Sequence, residues 1–134
     1  MKTRHTNSLA FSYTEPLPMI PLRFILKNNE STPLMVGILD SGSNEIAIPL
    51  KIAQEYNFEL NKRPPSFTAG GKVQSFSSHV NINIGIPQKE IEFKNIEICV
   101  LDTNIPILVG IYPLFLDCKV SIDGLNKKIL LLKN

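Results

Sequence analysis

The sequence contains few of the features that mark secreted, membrane-spanning or metal-binding proteins. Its 134 residues include only two cysteines, Cys99 and Cys118, and both lie in apolar stretches. They do not make a disulfide framework or a metal-ligand cluster, so we interpret them as buried free thiols and expect no metal site. No apolar run approaches the roughly 20 residues needed to cross a bilayer, so we expect no membrane partner.

Charge of one sign is also scarce. The formal net charge is +2, which is too weak to indicate a nucleic-acid partner, because such proteins concentrate basic residues on one face. The densest basic stretch, Lys62-Arg63, precedes two prolines, and we interpret it as a solvated loop. No apolar run follows the basic residues at the N-terminus, so no secretory signal of the usual form is present and we expect a cytoplasmic protein.

What remains is the composition of one globular domain. The chain is 43% hydrophobic and 19% charged, and its length suits a single domain with its own core. We expect residues 1–18 to form a weakly ordered N-terminal arm and residues 19–134 to form the domain. The stretch Gly70-Gly71-Lys72 is too short for a phosphate-binding loop, and we expect no cofactor.

Short apolar or alternating segments predict a mostly β domain. Alternation of apolar and polar residues with period two is typical of half-exposed strands, and continuous apolar runs bounded by turn residues are typical of buried ones. The predicted strands are Ile20–Leu26, Leu34–Leu39, Ile46–Ile48, Val80–Ile84, Ile91–Phe93, Ile96–Ile98, Ile105–Val109, Val120–Ile122 and Ile129–Leu132. Many short strands at even spacing predict a closed or partly open β-barrel.

Helices and turns fill the intervals between these strands. Leu50–Tyr56 has apolar residues at helical spacing after Pro49, and Pro113–Leu116 can make one helical turn, so we expect one short helix or two. Residues 61–72 contain two prolines and two adjacent glycines, which predicts a loop or a hairpin tip. Asp123–Asn126 is a hairpin turn signal between the last two strands.

One stretch places a reactive side chain at the end of a buried strand. The apolar run Leu34–Leu39 stops at Asp40, which is followed by Ser41 and Gly42. A charge at the edge of a core needs a partner, and Gly42 permits a tight turn whose backbone N–H groups point back at the carboxylate. The same tripeptide fits an Asx-type turn, in which Asp40 hydrogen-bonds only its own backbone. Both interpretations stay open on these residues alone.

Three further segments follow Asp40-Ser41-Gly42 in a recognisable order. They are the glycine-rich Thr68–Lys72, the run Ile107–Gly110 and the closing Val120–Asp123, with Gly110 lying 70 positions after Asp40. In this order and spacing the sequence resembles the retropepsin-like aspartic proteases, the family of the retroviral proteases and their cellular relatives. The resemblance covers nearly the whole domain, from Ile20 to Leu132.

The resemblance implies a barrel of the retropepsin-like acid protease type that hydrolyses a polypeptide substrate as a homodimer. Two copies of Asp40 would meet at the two-fold axis and hold one proton between them, because two carboxyl groups at such a short distance cannot both ionise. The ionised carboxylate acts as general base on a bound water, and the protonated one hydrogen-bonds the scissile carbonyl.

The resemblance also assigns roles to the neighbours of Asp40 and to a flap. Ser41 would hold the two Asp40 segments against each other, and Gly42 would let backbone approach the carboxylates. A glycine-rich hairpin would close over an extended peptide, exclude water and pair with the peptide backbone. The substrate-binding residues implied by this comparison are Ala69, Gly70, Gly71 and Lys72.

The sequence departs from the family pattern at three places. Ser41 stands where the family often has threonine, which has more packing contacts. Ile111-Tyr112 follows Gly110 where many members carry a basic or polar residue followed by Asp or Asn, so the resemblance implies that a frequent internal salt bridge near the site is absent. Asn44 and Glu45 follow the motif and make the local charge pattern unusual.

Two other functions compete with an endopeptidase. The first is a non-catalytic peptide-binding or dimerisation module with a retropepsin-like fold, which the intact Asp40-Ser41-Gly42 argues against and Ile111-Tyr112 leaves open. The second is an unrelated β-barrel with an accidental match. Asp102 lacks a following glycine, and we interpret it as part of a turn rather than as a second catalytic carboxylate.

Overall fold

The computed structural model describes residues 8–134, and in this range the protein is mostly β with two short helices. The helices are α1, Leu50–Glu55, and α2, Leu114–Asp117. The strands are β1 Ser8–Ser12, β2 Met19–Ile25, β3 Met35–Leu39, β4 Ala47–Pro49, β5 Asn61–Thr68, β6 Gly71–Ile86, β7 Lys89–Leu101, β8 Ile107–Val109, β9 Cys118–Asp123 and β10 Lys128–Lys133.

Six of the strands close into a barrel. Their order is β2-β3-β8-β4-β7-β6, and β2 pairs with both β3 and β6, which closes the ring. Strand β5 pairs with β6 outside this ring. A separate sheet has the order β1-β10-β9. The predicted mostly β, closed barrel with two short helices is therefore confirmed.

The barrel is filled by alternate residues of its strands. Successive side chains of a strand point to opposite faces, so one of every two faces inward. The largest fully buried side chains are Phe24, Ile20, Leu22, Ile46, Ile48, Ile82, Ile84, Ile98, Leu114, Ile129, Leu131 and Val100. Ile129 and Leu131 come from β10, so the separate sheet packs onto the same core.

Strand β3 lies in the middle of the barrel sheet and leads to Asp40. It pairs antiparallel with β2 as the predicted hairpin, and parallel with β8 through Leu39 and Val109. The central position of β3 in the sheet was predicted correctly, but the prediction that both of its faces are buried is wrong. Val36 is 50% exposed, because only the alternate residues Gly37 and Leu39 face inward.

The prediction of a weakly ordered arm over residues 1–18 is wrong for residues 8–12. Residues 8–12 form β1, which pairs antiparallel with β10 in an unbroken register. Leu9, Phe11 and Tyr13 are buried, so this segment alternates like any half-exposed strand. The pairing partner is more than a hundred residues away in the chain. Residues 1–7 lie outside the described range.

The prediction of a loop over residues 61–72 is also wrong for most of its length. Residues 61–68 form β5, and the register shifts between Arg63 and Ser66. The shift contains Pro64-Pro65, which cannot donate to a ladder and is tolerated at a bulge of an edge strand. The predicted hairpin tip is present immediately afterwards, where β5 turns into β6.

The closing hairpin was predicted correctly, and its turn is held by Asp123. The Oδ1 atom of Asp123 accepts hydrogen bonds from the backbone N–H groups of Leu125 and Asn126, both at 3.1 Å. The side-chain amide of Asn126 donates to Oδ2 at 2.8 Å. The hydrogen bonds from Asn126 come first among the causes that hold the pKa of Asp123 below its ordinary value.

The two cysteines are free and buried, as predicted. Among residues 8–134, neither helix is long and apolar enough to cross a membrane.

Candidate active site

Asp40 lies at the point where β3 ends beside β8. Its backbone N–H donates to the carbonyl of Val109 at 3.0 Å, which continues the parallel pairing by one residue. The chain then turns, and the backbone N–H of Ser43 donates to the carbonyl of Asp40 at 3.1 Å. Asp40 is half-buried in a single chain. We call residues 40–45 the Asp40 loop.

The carboxylate of Asp40 is held by the glycine two positions later. The backbone N–H of Gly42 donates to Oδ1 of Asp40 at 2.9 Å, the bond that the sequence predicted. A Cβ atom at Gly42 would lie 3.1 Å from the same oxygen, so a side chain there would crowd the carboxylate. The same hydrogen bond occurs in an Asx-type turn. By itself it does not show whether Asp40 has a catalytic or a structural role.

The side chain of Ser41 is exposed, and among the described residues its hydroxyl has no hydrogen-bond partner. The role that the resemblance implies for Ser41 requires a second copy of the chain and stays a prediction. Ser43, two positions later, donates its hydroxyl to the carbonyl of Glu45 at 2.8 Å and so fixes the end of the Asp40 loop.

The segment after β8 forms the back wall of the Asp40 loop. Ile111 N–H donates to the carbonyl of Ser43 at 2.8 Å, and Tyr112 N–H donates to that of Asn44 at 2.9 Å. Gly110 is buried, and a Cβ atom on it would collide with the carbonyl oxygens of Ser43 and Glu45. The two motifs that lie 70 positions apart in sequence are therefore in direct contact, and only glycine fits at position 110.

Arg63, which was predicted to lie in a solvated loop, holds the far end of the Asp40 loop. Arg63 donates to both carboxylate oxygens of Glu45 at 3.0 Å, and also to Glu97 of β7 at 2.9 Å. The hydrogen bond to Glu45 is the largest cause that raises the pKa of Arg63 further above its ordinary value. The side chains of Arg63 and Glu45 are 24% and 29% exposed.

These ion pairs correct one expectation. Lys62-Arg63 is not a solvated loop, since Arg63 belongs to β5 and its guanidinium is mostly covered. The Arg63–Glu45 pair is a salt bridge near the site that does not involve positions 111 and 112, to which the resemblance referred. No local pattern indicates this contact. It depends on the register of β5 against β6, which places Arg63 next to residues 18 and 34 positions away.

The predicted substrate-binding residues lie at the tip of the β5–β6 hairpin. We call residues 68–72 the hairpin tip. Thr68 Oγ1 accepts from Gly70 N–H and donates to the carbonyl of Gly71, both at 3.2 Å. Gly71 has φ +109°, a conformation that side chains disfavour. Ala69, Gly70, Gly71 and Lys72 are all exposed.

A second apolar cluster is separate from the main core. Ala47, Cys99 and Leu101 are its buried members. The partly buried residues packed on them are Val73, Ile105 and Leu108. These residues alternate along their strands with members of the main core, so they face the outer side of the barrel sheet. The alternation of residues does not indicate this cluster, because apolar residues occupy both faces of these strands.

Members of the second apolar cluster are close in the strands to both parts of the predicted site. Leu108 pairs with Ile38, two residues before Asp40, and Val73 follows Gly71 by two residues. Ser75 and Cys99 approach each other to 3.6 Å at its buried edge. The cluster therefore lies on strands that lead to the Asp40 loop and to the hairpin tip.

The described cavities do not enclose Asp40. One of about 470 Å³ is lined by residues of β2, of the turn after α1 and of the middle of β6, with Asn95 from β7. None of its lining residues belongs to the Asp40 loop or to the hairpin tip. Across residues 8–134, no group of three or more His, Cys, Asp or Glu side chains is placed to hold a metal ion.

Comparison with solved structures identifies this architecture. A retropepsin-like aspartic protease from Rickettsia conorii superposes with a TM-score of 0.69 over 95% of this chain and 100% of its own, at 20% sequence identity. EIAV protease in complex with an inhibitor gives a TM-score of 0.47 at 16% identity, over 70% of this chain and 81% of its own. No protein-family model and no curated protein matches the sequence.

The closed six-stranded barrel with an Asp-Ser-Gly turn at its rim defines a single-lobed acid-protease fold. The chain has the fold of the retropepsin-like aspartic proteases. The fold predicted from the order of the motifs is therefore confirmed, and an unrelated barrel with an accidental match is excluded.

Proposed function

We propose that this chain is one half of an aspartic endopeptidase, in which two copies of Asp40 hydrolyse a peptide bond of a polypeptide substrate. The observation that carries the proposal is the placement of Asp40. On a retropepsin-like fold, its carboxylate lies at the end of a central strand, accepts the N–H of Gly42 at 2.9 Å and is open to solvent on one side. This leaves the other carboxylate oxygen free for a water or for a second Asp40.

A second copy is required by the chemistry. Glu45, the other carboxylate of the Asp40 loop, is held by Arg63 on both oxygens in an ion pair, so it is not the second member of a carboxyl pair that shares a proton. Two Asp40 side chains across a two-fold axis hold one proton, because two adjacent negative charges repel. The shared proton makes one carboxyl group an acid and leaves the other a base.

The reaction then needs only a water and the substrate. The ionised Asp40 takes a proton from the bound water, whose oxygen attacks the scissile carbonyl carbon. The protonated Asp40 donates a hydrogen bond to the carbonyl oxygen, which becomes negatively charged in the transition state. Collapse of the tetrahedral intermediate breaks the C–N bond, and the leaving nitrogen receives a proton from the carboxyl pair.

Binding of the peptide is assigned to the hairpin tip and to the second apolar cluster. Ala69, Gly70, Gly71 and Lys72 are exposed, and backbone groups at a hairpin tip can pair with an extended chain. The second apolar cluster offers partly buried Val73, Ile105 and Leu108 to apolar side chains of the substrate. Ser41 is assigned to the contact between the two Asp40 loops.

The test compares Asp40→Asn with the wild type on an unfolded polypeptide at acidic pH. We expect the wild type to cleave it, and the variant to lose cleavage by at least about a thousandfold, since the amide cannot act as a base. Asp102→Asn is the matched control, because Asp102 is an exposed aspartate of a bend outside the Asp40 loop. Equal cleavage by wild type and Asp40→Asn contradicts the proposal.

The wild type and Asp40→Asn also distinguish an endopeptidase from a non-catalytic peptide-binding module. The Gly42–Asp40 bond also fits a purely structural turn, so the module has an observation in its favour. If neither protein cleaves while both bind an extended peptide with the same affinity, Asp40 is structural and the chain is a binding module. Sedimentation velocity gives an independent measure, because a chain that stays monomeric at high concentration cannot assemble the carboxyl pair.

A further inference from the structure

Asn83 is a polar side chain in a nearly buried position without a hydrogen-bond partner. Its neighbours on β6, Ile82 and Ile84, are fully buried in the barrel, so Asn83 points to the outer face. It is nevertheless only 7% exposed, and its amide makes no hydrogen bond to any residue between 8 and 134. The amide stays accessible, since the Ser78 hydroxyl is the one sealed and unpaired side-chain group in that range. Because buried amides are almost always paired, we expect a partner from outside the chain.

The outer face above Asn83 is hollow. A cavity of about 520 Å³ is lined by Asn83, and its size suits a bound ligand. Its floor spans three strands, because Asn83 pairs with Arg23 of β2 on one side and with Glu92 of β7 on the other. Asn29 and Ser31, from the segment between β2 and β3, also line it. We call this space the Asn83 cavity.

An ion pair forms one wall beside Asn83. Arg23 Nε donates to Glu90 Oε2 at 2.7 Å, and Arg23 Nη2 donates to Oε1 at 2.9 Å. Glu90 lies on β7 opposite Gly85, so the pair crosses β6 next to Asn83, where Gly85 has no side chain to obstruct it. The two side chains are 26% and 11% exposed. The bidentate geometry fixes this wall, and its two charges neutralise each other.

The charges of the Asn83 cavity favour a neutral ligand. Besides the neutralised Arg23, its charged lining residues are Glu92 and Lys94, which have opposite signs. The cavity therefore has no excess charge to attract an inorganic anion or a cation. Asn83 offers a carbonyl oxygen as acceptor and an NH2 group as donor. A peptide group, with one N–H and one carbonyl, is complementary to both.

The hollow is elongated. The Asn83 cavity adjoins the cavity of about 470 Å³, because Ile25 and Asn81 line both. The adjoining cavity has apolar and aromatic lining residues, among them Leu26, Tyr56 and Phe58. A polar compartment followed by an apolar one suits an extended polypeptide, which has peptide groups and side chains in alternation. A compact sugar or an ion would occupy only one of the two compartments.

The Asn83 cavity is separate from the candidate active site. Met19 of β2 pairs with Ile38, two positions before Asp40, and Arg23 lies four positions further along β2 in the opposite direction. These positions together correspond to about 20 Å along the sheet. A six-residue peptide spans at most about 20 Å, so one centred on Asp40 reaches only about 10 Å to each side. A longer polypeptide can reach both places.

We propose that the Asn83 cavity is a second binding site for polypeptide, in which Asn83 binds a peptide group of an extended segment outside the cleaved region of the substrate. The NH2 group of Asn83 donates to the peptide carbonyl, and its carbonyl accepts the peptide N–H. This inference rests on the proposed function, because the polypeptide substrate of Asp40 supplies the segment.

Nuclear magnetic resonance of the side-chain amides tests the binding without any cleavage. The full chain with Asp40→Asn is titrated with a capped trialanine peptide, which offers peptide groups and no charge. We expect the side-chain amide signals of Asn83 and Asn81 to shift, and that of Asn61 to stay unchanged, because Asn61 is exposed on β5 and lines neither cavity. Absence of a shift at Asn83 overturns the proposal.

Two further titrations test the class of ligand. Sorbitol offers hydroxyl groups without peptide groups, and inorganic phosphate offers negative charge. We expect neither to shift the Asn83 amide signal as the peptide does. A shift with sorbitol alone assigns the cavity to a hydroxyl-rich ligand, and a shift with phosphate alone assigns it to an anion. Either result overturns a peptide site.

Replacement of Asn83 by valine separates binding from folding. Valine suits a strand, and the amide that it removes has no partner to lose, so the midpoint of denaturant unfolding should stay unchanged or rise. We expect Asn83→Val to abolish the shift that the peptide causes at Asn81, whereas Asn61→Val preserves it. A clear fall of the unfolding midpoint in Asn83→Val, relative to Asn61→Val, means that Asn83 holds the fold and overturns the proposal.

Cleavage kinetics show whether the second site acts on the substrate. We expect Asn83→Val to raise the ratio of the KM for an unfolded polypeptide to the KM for a six-residue peptide by about fivefold or more, which corresponds to about 1 kcal/mol of lost binding. The reason is that only the longer chain reaches the Asn83 cavity. An unchanged ratio overturns the proposal.

Failure of this inference is distinguishable from failure of the proposed function. If the peptide shifts the Asn83 signal but no cleavage depends on Asp40, the chain has a peptide-binding site and is not an endopeptidase. If cleavage depends on Asp40 but the peptide leaves Asn83 unchanged, the endopeptidase stands and the second site does not.

Discussion

Arg63 of the β5–β6 hairpin forms a bidentate ion pair with Glu45 at the end of the Asp40 loop, with both nitrogen–oxygen distances at 3.0 Å. The two residues belong to elements that have different proposed tasks. Glu45 fixes the loop that carries the catalytic carboxylate, and Arg63 lies in the strand that leads to the hairpin tip. The pair therefore sets the position of the hairpin relative to Asp40.

A double-mutant cycle measures this coupling. We expect Arg63→Ala and Glu45→Ala each to lower the free energy of unfolding, with a coupling free energy of about 1–2 kcal/mol, because the pair is bidentate and mostly covered. The measurement is denaturant unfolding of the four proteins. Lys27 and Glu59 form the matched control pair. Their Nζ and Oε1 atoms are 3.2 Å apart, but their side chains are 83% and 81% exposed. Their coupling should be near zero.

The same cycle has a catalytic readout. If the Arg63–Glu45 pair positions the hairpin, Arg63→Ala raises the KM for a peptide substrate more than it lowers kcat, and Arg63→Lys restores part of the loss. Lysine keeps the charge but not the bidentate geometry. A coupling free energy indistinguishable from that of Lys27 and Glu59 would contradict the positional role.

Replacement of Gly110 by alanine is expected to damage the Asp40 loop. The added Cβ meets the backbone carbonyls of Ser43 and Glu45, which cannot move without displacing the loop. We expect a loss of about 2–3 kcal/mol in the free energy of unfolding and loss of cleavage. Gly124→Ala is the control, because no heavy atom lies within 4 Å of its Cβ position. Similar unfolding midpoints for the two variants would show that the loop is not packed against Gly110.

The two glycines of the hairpin tip should respond differently to alanine. Gly71 has φ +109°, so Gly71→Ala strains the turn by about 1 kcal/mol and should raise the KM for a peptide. At Gly70 the nearest atom to an added Cβ is Thr68 Oγ1 at 3.7 Å, so Gly70→Ala should be tolerated. Steady-state cleavage of a peptide substrate by the two variants checks the prediction. An unchanged KM in Gly71→Ala argues against closure of this hairpin over the substrate.

Cys118 should react slowly with thiol reagents at neutral pH. Burial is the main cause that raises the pKa of its thiol above the ordinary value, and the nearby Asp117 adds to it. The reactive species is the thiolate, so the alkylation rate should rise only in alkaline solution. Mass spectrometry after iodoacetamide treatment at several pH values measures this, with the exposed thiol of Ser121→Cys as reference. Equal rates at neutral pH would contradict it.

The raised pKa of Cys118 also sets the sign of a stability change. In the unfolded chain the thiol ionises at its ordinary value, whereas the folded protein keeps the proton to higher pH. Between these two pKa values the unfolded state binds fewer protons, so the free energy of unfolding falls as the pH rises. Denaturant unfolding through this alkaline window should show a decrease that is absent in Cys118→Ala.

Sequence patterns predicted those parts of the fold that depend on neighbouring residues. The alternation in Val80–Ile84, the helical spacing after Pro49 and the turn at Asp123 each specify a local structure, and each is present. Alternation in Leu9, Phe11 and Tyr13 was visible too, but the surrounding serines and threonine gave those residues the composition of an arm.

The features that were missed depend on contacts between distant residues. Pro64-Pro65 signals a break, and only the bulge against β6 lets β5 continue past it. The ion pairs of Arg63 require that register as well. The position of Asp40 was predicted because a single strand ends there, whereas the second apolar cluster needed four strands to be placed side by side.

Closure of the barrel has a consequence for amide hydrogen exchange. Every strand of the ring has a neighbour on both sides, because β2 pairs with β6 as well as with β3. Amides bonded within the ring can therefore exchange with deuterium only when much of the domain opens, whereas those of β5 and β1 can exchange through local fraying. The slowly exchanging ring holds Asp40 at its rim, and the hairpin tip assigned to substrate closure belongs to the rapidly exchanging periphery.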